Sequence, residues 1–267
     1  MSKLRDILDH KACEVDRAKK AIPLEQIARM ALNAPPVRPF KAALEAADKV
    51  PALIAEVKKA SPSQGLIRAD FDPAEVAAAY REAGAHCLSV LTDERYFQGS
   101  RANLEISRSI SGLPCLRKDF IIDPYQVFES RAWGADCILL IVAAISSPDS
   151  GLQTAELSSL WHLAKDLGMD VLVEVHSRAE AETAFQIGAD LIGVNNRDLS
   201  DLTTSITSSD HLLPLVRACA FPVSESALES VADLERVQAA GARAVLIGTA
   251  FCRASDISGK VREVMGW

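Results

Sequence analysis

The chain has 267 residues, of which 49% are hydrophobic and 24% charged, the balance of a globular protein with a substantial core rather than of a disordered one. Its net charge of −7 is spread along the sequence, which argues against bulk nucleic-acid binding, and no apolar run approaches the ~18 residues needed to span a bilayer. An anionic substrate would need a local basic pocket, and this length suits one α/β barrel as well as two smaller domains.

The opening MSKLRDILDHKACEVDRAKK is charged and amphipathic, without the apolar region of a secretory signal, so a cytoplasmic protein is expected, with no membrane or nucleic-acid partner. Residues 1–50 carry a helical pattern broken by NAPPVRP at 33–39, and read as an N-terminal helical extension of one barrel domain covering 1–267. Eight apolar runs then read as strands buried on both faces: 52–59, 86–92, 114–119, 136–143, 170–176, 190–196, 221–226 and 243–250. A Gly-Ala dipeptide precedes every second one, at Gly84, Gly134, Gly188 and Gly241, where a glycine just past a helix end relieves a left-handed cap. Helical spacing fills Pro73 to Ala83, Tyr125 to Trp133, Leu157 to Leu167, Ala179 to Ile187 and Val231 to Ala240. SDLTTSITSSD (200–210) reads as a mobile loop.

Strands alternating with helices imply a parallel sheet with right-handed crossovers, and eight such units close most economically into a (β/α)8 TIM barrel, an open doubly wound sheet being the alternative. The six cysteines form no C-x-x-C pair and four lie in or beside apolar runs, so they read as reduced core residues. The five histidines show no ligand spacing, and no metal is expected.

Polar residues cluster at the C-terminal ends of these strands, where a barrel carries its active site: Glu56, Lys58, Lys59, Arg117, Lys118, Glu174, Asn195, Arg197, Glu225 and Ser226. A charge inside an apolar run needs a partner, solvent or a ligand. By period-two alternation Lys59 and Arg117 point away from the barrel axis as structural residues, while Glu56, Lys58, Lys118 and Glu174 face inward.

Six ordered segments, EVKKASPSQG (56–65), SVLTDERYFQGS (89–100), LRKDFIIDPYQV (116–127), VLVEVH (171–176), GVNNRDL (193–199) and VSES (223–226), resemble those of indole-3-glycerol-phosphate synthases. The resemblance implies a barrel with extra N-terminal helices. It further implies conversion of 1-(2-carboxyphenylamino)-1-deoxyribulose 5-phosphate to indole-3-glycerol phosphate, carbon dioxide and water in tryptophan biosynthesis, without a cofactor. Other enzymes of that pathway are candidate partners. Carried onto this sequence, it makes Lys118 the general acid at the substrate carbonyl, its pKa lowered by Lys58 and partial burial. Lys58 meets the substrate carboxylate and assists loss of the hydroxyl, Glu56 orients the lysines, and Glu174 transfers a proton in the dehydration. Asn195 and Ser226 position the substrate, with Arg197 and Glu225 in support.

The phosphate is expected after strands seven and eight, at Ser226, Ala227, Gly248 and Thr249, with Ser61 closing the other side, and Phe97 and Phe120 are expected against the aromatic ring. The family continues VSES with glycine, whereas this chain has Ala227. A Cβ hinders both positive φ and close approach to an anion, so weaker phosphate binding is expected. Two other readings share these residues. A phosphoribosylanthranilate isomerase-like barrel would rely on a Cys and Asp pair, and a catalytically silent barrel would bind a metabolite or a partner protein.

Overall fold

The computed structural model describes residues 3–147, 151–199 and 202–267. Eight strands run in chain order around a closed parallel barrel: β1 (Ala52–Val57), β2 (Cys87–Leu91), β3 (Cys115–Lys118), β4 (Cys137–Ile141), β5 (Asp170–Val175), β6 (Leu191–Asn195), β7 (Phe221–Glu225) and β8 (Ala244–Ile247). The barrel closes where Ala52 of β1 pairs with Ala244 of β8. Each expected strand is present.

Three helices precede the barrel, α1 (Lys3–Ala21), α2 (Leu24–Leu32) and α3 (Phe40–Glu45). Around it stand α4 (Pro73–Glu82), α5 (Arg101–Ser111), α6 (Pro124–Ala132), α7 (Thr154–Asp166), α8 (Arg178–Gln186), α9 (Thr207–Arg217), α10 (Val231–Ala240) and α11 (Ile257–Met265). The glycines of the repeated Gly-Ala dipeptide all have positive φ at helix ends. Asp72, Ser100, Asp123, Ser177 and Ser230 cap helix starts by accepting backbone N–H bonds, which satisfies donors the helices leave open.

Alternation along the strands divides the apolar side chains into two layers. Ile54, Leu116, Leu139, Leu172, Val223 and Leu246 fill the barrel, and Phe40 and Leu44 of α3 plug its N-terminal end. Leu53, Val90, Ile138, Val173, Ile192 and Val245 face the surrounding helices. One end is thus sealed with hydrocarbon, and polar strand residues emerge at the other. All six cysteines are free, with Cys87, Cys115, Cys137 and Cys252 buried and Cys13 and Cys219 exposed.

Apolar and ionic contacts both hold the N-terminal helices to this frame. Val15, Ile27 and Tyr125 form a small apolar cluster, and Tyr125 donates its hydroxyl to the carbonyls of Ala18 and Ile22. The buried Lys11 ammonium of α1 lies 2.8 Å from Asp93 and 2.9 Å from Asp119, both at the mouth of the barrel.

The loop expected at 200–210 is shorter than its composition suggests. Residues 200 and 201 lie outside the described residues, but Thr204 bridges to Arg197 and α9 begins at Thr207. Serine and threonine favour non-helical backbone locally. Here tertiary packing prevails: Leu212, Leu213 and Val216 are buried, Ser209 N–H donates to Asn196, and the Ser209 and Ser224 hydroxyls lie 2.8 Å apart. Among the described residues no helix is long and apolar enough to cross a membrane.

Candidate active site

Strand alternation delivers the inward charges. Glu56, Lys118, Glu174, Asn195 and Glu225 occupy the last inward positions of β1, β3, β5, β6 and β7, and the register sets Gly193 beside Glu174 and Asn195 beside Glu225. Lys118 Nζ donates to Glu174 Oε2 at 3.0 Å and lies 3.7 Å from Glu225 Oε2. Lys58, just past β1, donates to Glu56 Oε1. Gly193 makes room for this arrangement, because a Cβ there would stand 2.0 Å from Glu225 Oε1. Gly248 does the same for Glu56, whose Oε1 would meet an added Cβ at 2.5 Å. A glycine inside a strand is the signal that marked Gly193, though the sequence reading passed over it.

The protonation pattern differs from the one expected. Burial opposes the Lys118 charge, but the carboxylates of Glu174, Glu225 and Glu56 outweigh it and hold this lysine above its ordinary pKa rather than below. The expectation weighed Lys58 and partial burial, and the three acids converging from β1, β5 and β7 reverse the balance. Burial, with Glu174 and Glu56 nearby, pushes Glu225 up to about 8 against the pull of Lys118. Glu174 stays below the usual glutamate range, since Lys118 and His176 outweigh its burial. Of the two carboxyls, Glu225 is thus the more readily protonated and Glu174 the one held ionised against the Lys118 ammonium.

Three connected cavities open from this centre. A polar cleft of about 650 Å³ is lined by Lys58, Gln64, Arg197, Ser226, Ala227, Gly248 and Thr249, among others. Thr249 opens the one-turn helix Thr249–Cys252, whose first N–H groups have no intrahelical partner. The central cavity, about 570 Å³, holds Glu56, Lys58, Lys118, Glu174, Asn195 and Ser226 with Phe97 and Phe120. An apolar cavity of about 500 Å³ lies above it, walled by Phe97, Phe120, Leu199 and by Leu4 and Ile7 of α1. The Phe97 and Phe120 rings stand 6.3 Å apart, tilted by 40°, with open space on one side.

Arg197 borders all three cavities. It donates to Ser63 and to the Leu202 carbonyl and forms no ion pair among the described residues, so its charge is directed at the clefts. Ser61 is placed differently from its expectation. After β1 the chain folds into a short antiparallel pair, Ala60–Ser61 with Gly65–Leu66, which turns Ser61 into the apolar cavity and brings Gln64 to the polar cleft instead.

Ser226 and Ala227, directly after β7, have φ of +66° and +56°. Both backbones thus take the left-handed conformation that favours glycine, and Ala227 does so with its Cβ in place. Arg117, the outward neighbour of Lys118, is buried against Asp119 at 3.1 Å and Glu129 at 2.9 Å, with its guanidinium 4.0 Å from the Trp133 ring centre. The sequence reading also overlooked Leu4 and Ile7, which no motif marks, and His176, which follows β5 beside Glu174.

Known proteins resemble this chain at two levels. Among solved structures, 3-hexulose-6-phosphate synthase from Salmonella typhimurium superposes with a TM-score of 0.62 at 15% identity, over 80% of this chain and 97% of that one. A mandelate oxidase mutant superposes with a TM-score of 0.61 at 18% identity, over 81% and 72%. Both likenesses concern the fold. In sequence, an indole-3-glycerol phosphate synthase of Neisseria meningitidis serogroup B is 47% identical over 263 residues, covering 98% of each chain. One of Roseiflexus castenholzii is 47% identical over 271 residues, with the same coverage. The family model described as indole-3-glycerol phosphate synthase matches residues 4–264, and the chain belongs to that family.

Proposed function

We propose that the protein closes an indole ring, converting 1-(2-carboxyphenylamino)-1-deoxyribulose 5-phosphate to indole-3-glycerol phosphate, carbon dioxide and water. The observation that supports this most directly is the Lys118 ammonium, held by two glutamates where the polar cleft meets the central cavity. Such a substrate has an anionic end and an aromatic end, joined through a ketone that supplies its own electrophile. The protein must polarise that ketone, hold the ends together and move protons.

In this reading the phosphate lies in the polar cleft against the backbone of Ala227, Gly248 and Thr249, with Arg197 supplying charge. The ring lies by Phe97 and Phe120, and Asn195 and Ser226 position the hydroxyls. Lys58 holds the carboxylate that leaves as carbon dioxide, and Glu56 fixes Lys58. As the aromatic carbon attacks, the carbonyl oxygen becomes an alkoxide, a stronger base than an amine, and takes a proton from Lys118 despite the raised pKa of that lysine. Glu225 and Glu174 keep Lys118 charged beforehand, and Glu174 accepts the ring proton lost in dehydration.

An isomerase that needs a Cys and Asp pair fits less well, since no cysteine lines these three cavities. Incubation with the carboxyphenylamino substrate, without added metal or nucleotide, should produce indole fluorescence and release carbon dioxide. Substrate consumption without either signal would overturn the reading, as would no consumption at all.

A further inference from the structure

His176 sits at the rim of the central site, and none of the roles assigned above uses it. It follows β5 two residues after Glu174, so alternation turns its ring to the same side. Nε2 lies 3.4 Å from Glu174 Oε1, and Nδ1 lies 3.3 Å from Glu180 Oε2 at the start of α8. That same Glu180 oxygen accepts the His176 backbone N–H at 2.8 Å, which fixes it beside the ring. Glu174 Oε1 and His176 Nε2 are both buried and neither has a hydrogen-bond partner, although they face each other. The other Glu174 oxygen carries the bond to Lys118. Glu180, His176, Glu174 and Lys118 therefore lie in file from the outer rim to the centre of the barrel, at successive separations of 3.3, 3.4 and 3.0 Å.

The reaction proposed above requires such a file. Its substrate enters with an ionised carboxylate and leaves as neutral carbon dioxide, so each turnover takes one proton from solvent. Lys118 loses its proton to the alkoxide and must regain one before the next cycle.

We propose that His176 is a positioning residue that recharges Lys118 through Glu174, and Glu180 orients and supports its cationic form. The Nε2–H bond of the imidazolium breaks as a bond to Glu174 Oε1 forms, which leaves a neutral ring protonated on Nδ1. A half-turn of the Glu174 carboxyl presents that proton to the neutral Lys118 amine, which becomes an ammonium. The ring, 15% exposed, regains a proton from water on turning away from Glu174. The charged groups around the ring favour this cycle. Burial disfavours the imidazolium, but Glu180, Glu174 and Glu225 outweigh it and raise the His176 pKa, with Lys118 lying beyond Glu174.

The inference rests on the proposed ring closure, and its test separates the two. In His176→Gln, the steady-state kcat at mildly alkaline pH should fall about tenfold, short of the ~10²-fold expected for a direct acid, with KM nearly unchanged. The first turnover, for which Lys118 starts charged, should keep the wild-type rate, giving a burst of about one equivalent of product before a slow phase. Added imidazole should speed the slow phase only. Glu180→Gln, which disturbs packing less, should move the alkaline limb of the wild-type kcat profile to lower pH.

A His176→Gln enzyme with wild-type steady-state turnover would overturn the proposal. So would one slowed equally in first and later turnovers and untouched by imidazole, because that pattern marks a structural role. An unmoved alkaline limb in Glu180→Gln would count equally against it. A wild-type protein that forms no indole would remove the underlying reading and this one with it.

Discussion

Arg117 and Lys118 are adjacent cations on β3, and the barrel wall separates their surroundings. Outside, Arg117 lies among Asp119, Glu129 and the Trp133 ring, and Asp119 in turn meets the Lys11 ammonium. Cations and anions there lie in direct contact, joining α1, β3 and α6 in one network. Inside, Lys118 faces Glu174 and Glu225, each of which keeps one buried oxygen without a hydrogen-bond donor. The contrast shows what distinguishes a structural ion cluster from a working one. The outer cluster meets its cations with anions in direct contact, whereas the inner one leaves an oxygen of Glu174 and of Glu225 that a substrate or a proton can engage.

The same substitution on the two neighbours tests this contrast. Lys118→Met should lower kcat by about 10²-fold to 10⁴-fold, the contribution of a positioned general acid, with KM little changed. Retention of more than about a tenth of the wild-type kcat would remove Lys118 from the acid role. Arg117→Met should do the opposite. Removing one partner of a buried ion cluster costs roughly 3–5 kcal/mol, so urea unfolding at neutral pH should show a loss of that order while kcat of the folded protein stays within about threefold. Equal effects of the two substitutions on kcat would mean that the inner and outer clusters are not separate.

The outer cluster should also carry part of the acid sensitivity of the fold. Arg117 and Lys11 outweigh burial and hold the Asp119 carboxyl well below its usual range. A depressed folded-state pKa contributes stability that is present above the unfolded value of about 3.9 and is lost as pH falls from there through the folded value. Asp119→Asn should therefore be less stable than the wild type at neutral pH, and the gap should narrow as pH drops below about 4. Urea midpoints measured across that range check the sign, and a constant gap would show that Asp119 titrates normally.

The barrel was legible because parallel strands buried on both faces write themselves as apolar runs, and helix ends repeat a Gly-Ala dipeptide. Helices α5 and α9 were not legible. Their buried faces are interrupted by Ser107, Ser111 and Ser209, which find partners only once neighbouring strands and helices are in place. At the site, alternation sufficed to turn Glu56, Lys118 and Glu174 inward. It could not give the charge balance, since Lys118 is governed by acids on β1, β5 and β7 that only barrel closure brings together. The pairing of Lys11 is hidden for the same reason, because Asp93 and Asp119 lie far from it in sequence.

The smallest expected effect concerns Ala227, the residue that follows VSES. An alanine in place of the family's glycine would weaken phosphate binding if the loop had to enter a strained conformation on meeting the anion. The backbone of this loop is left-handed, with φ of +56° at Ala227 and +66° at Ser226. A left-handed alanine costs roughly 1–2 kcal/mol, and a loop that keeps this conformation throughout the cycle carries that strain in folding rather than in binding. Ala227→Gly removes it and at the same time frees the unfolded chain, which returns roughly 0.5–1 kcal/mol. The net gain in stability should be about 0.5–1 kcal/mol, and KM should stay within about twofold of the wild type, since the polar cleft keeps its shape. A severalfold fall in KM would instead mean that the loop changes conformation when the phosphate arrives. The strain would then act at the binding step, and the two loops after β7 and β8 would differ in rigidity as well as in sequence.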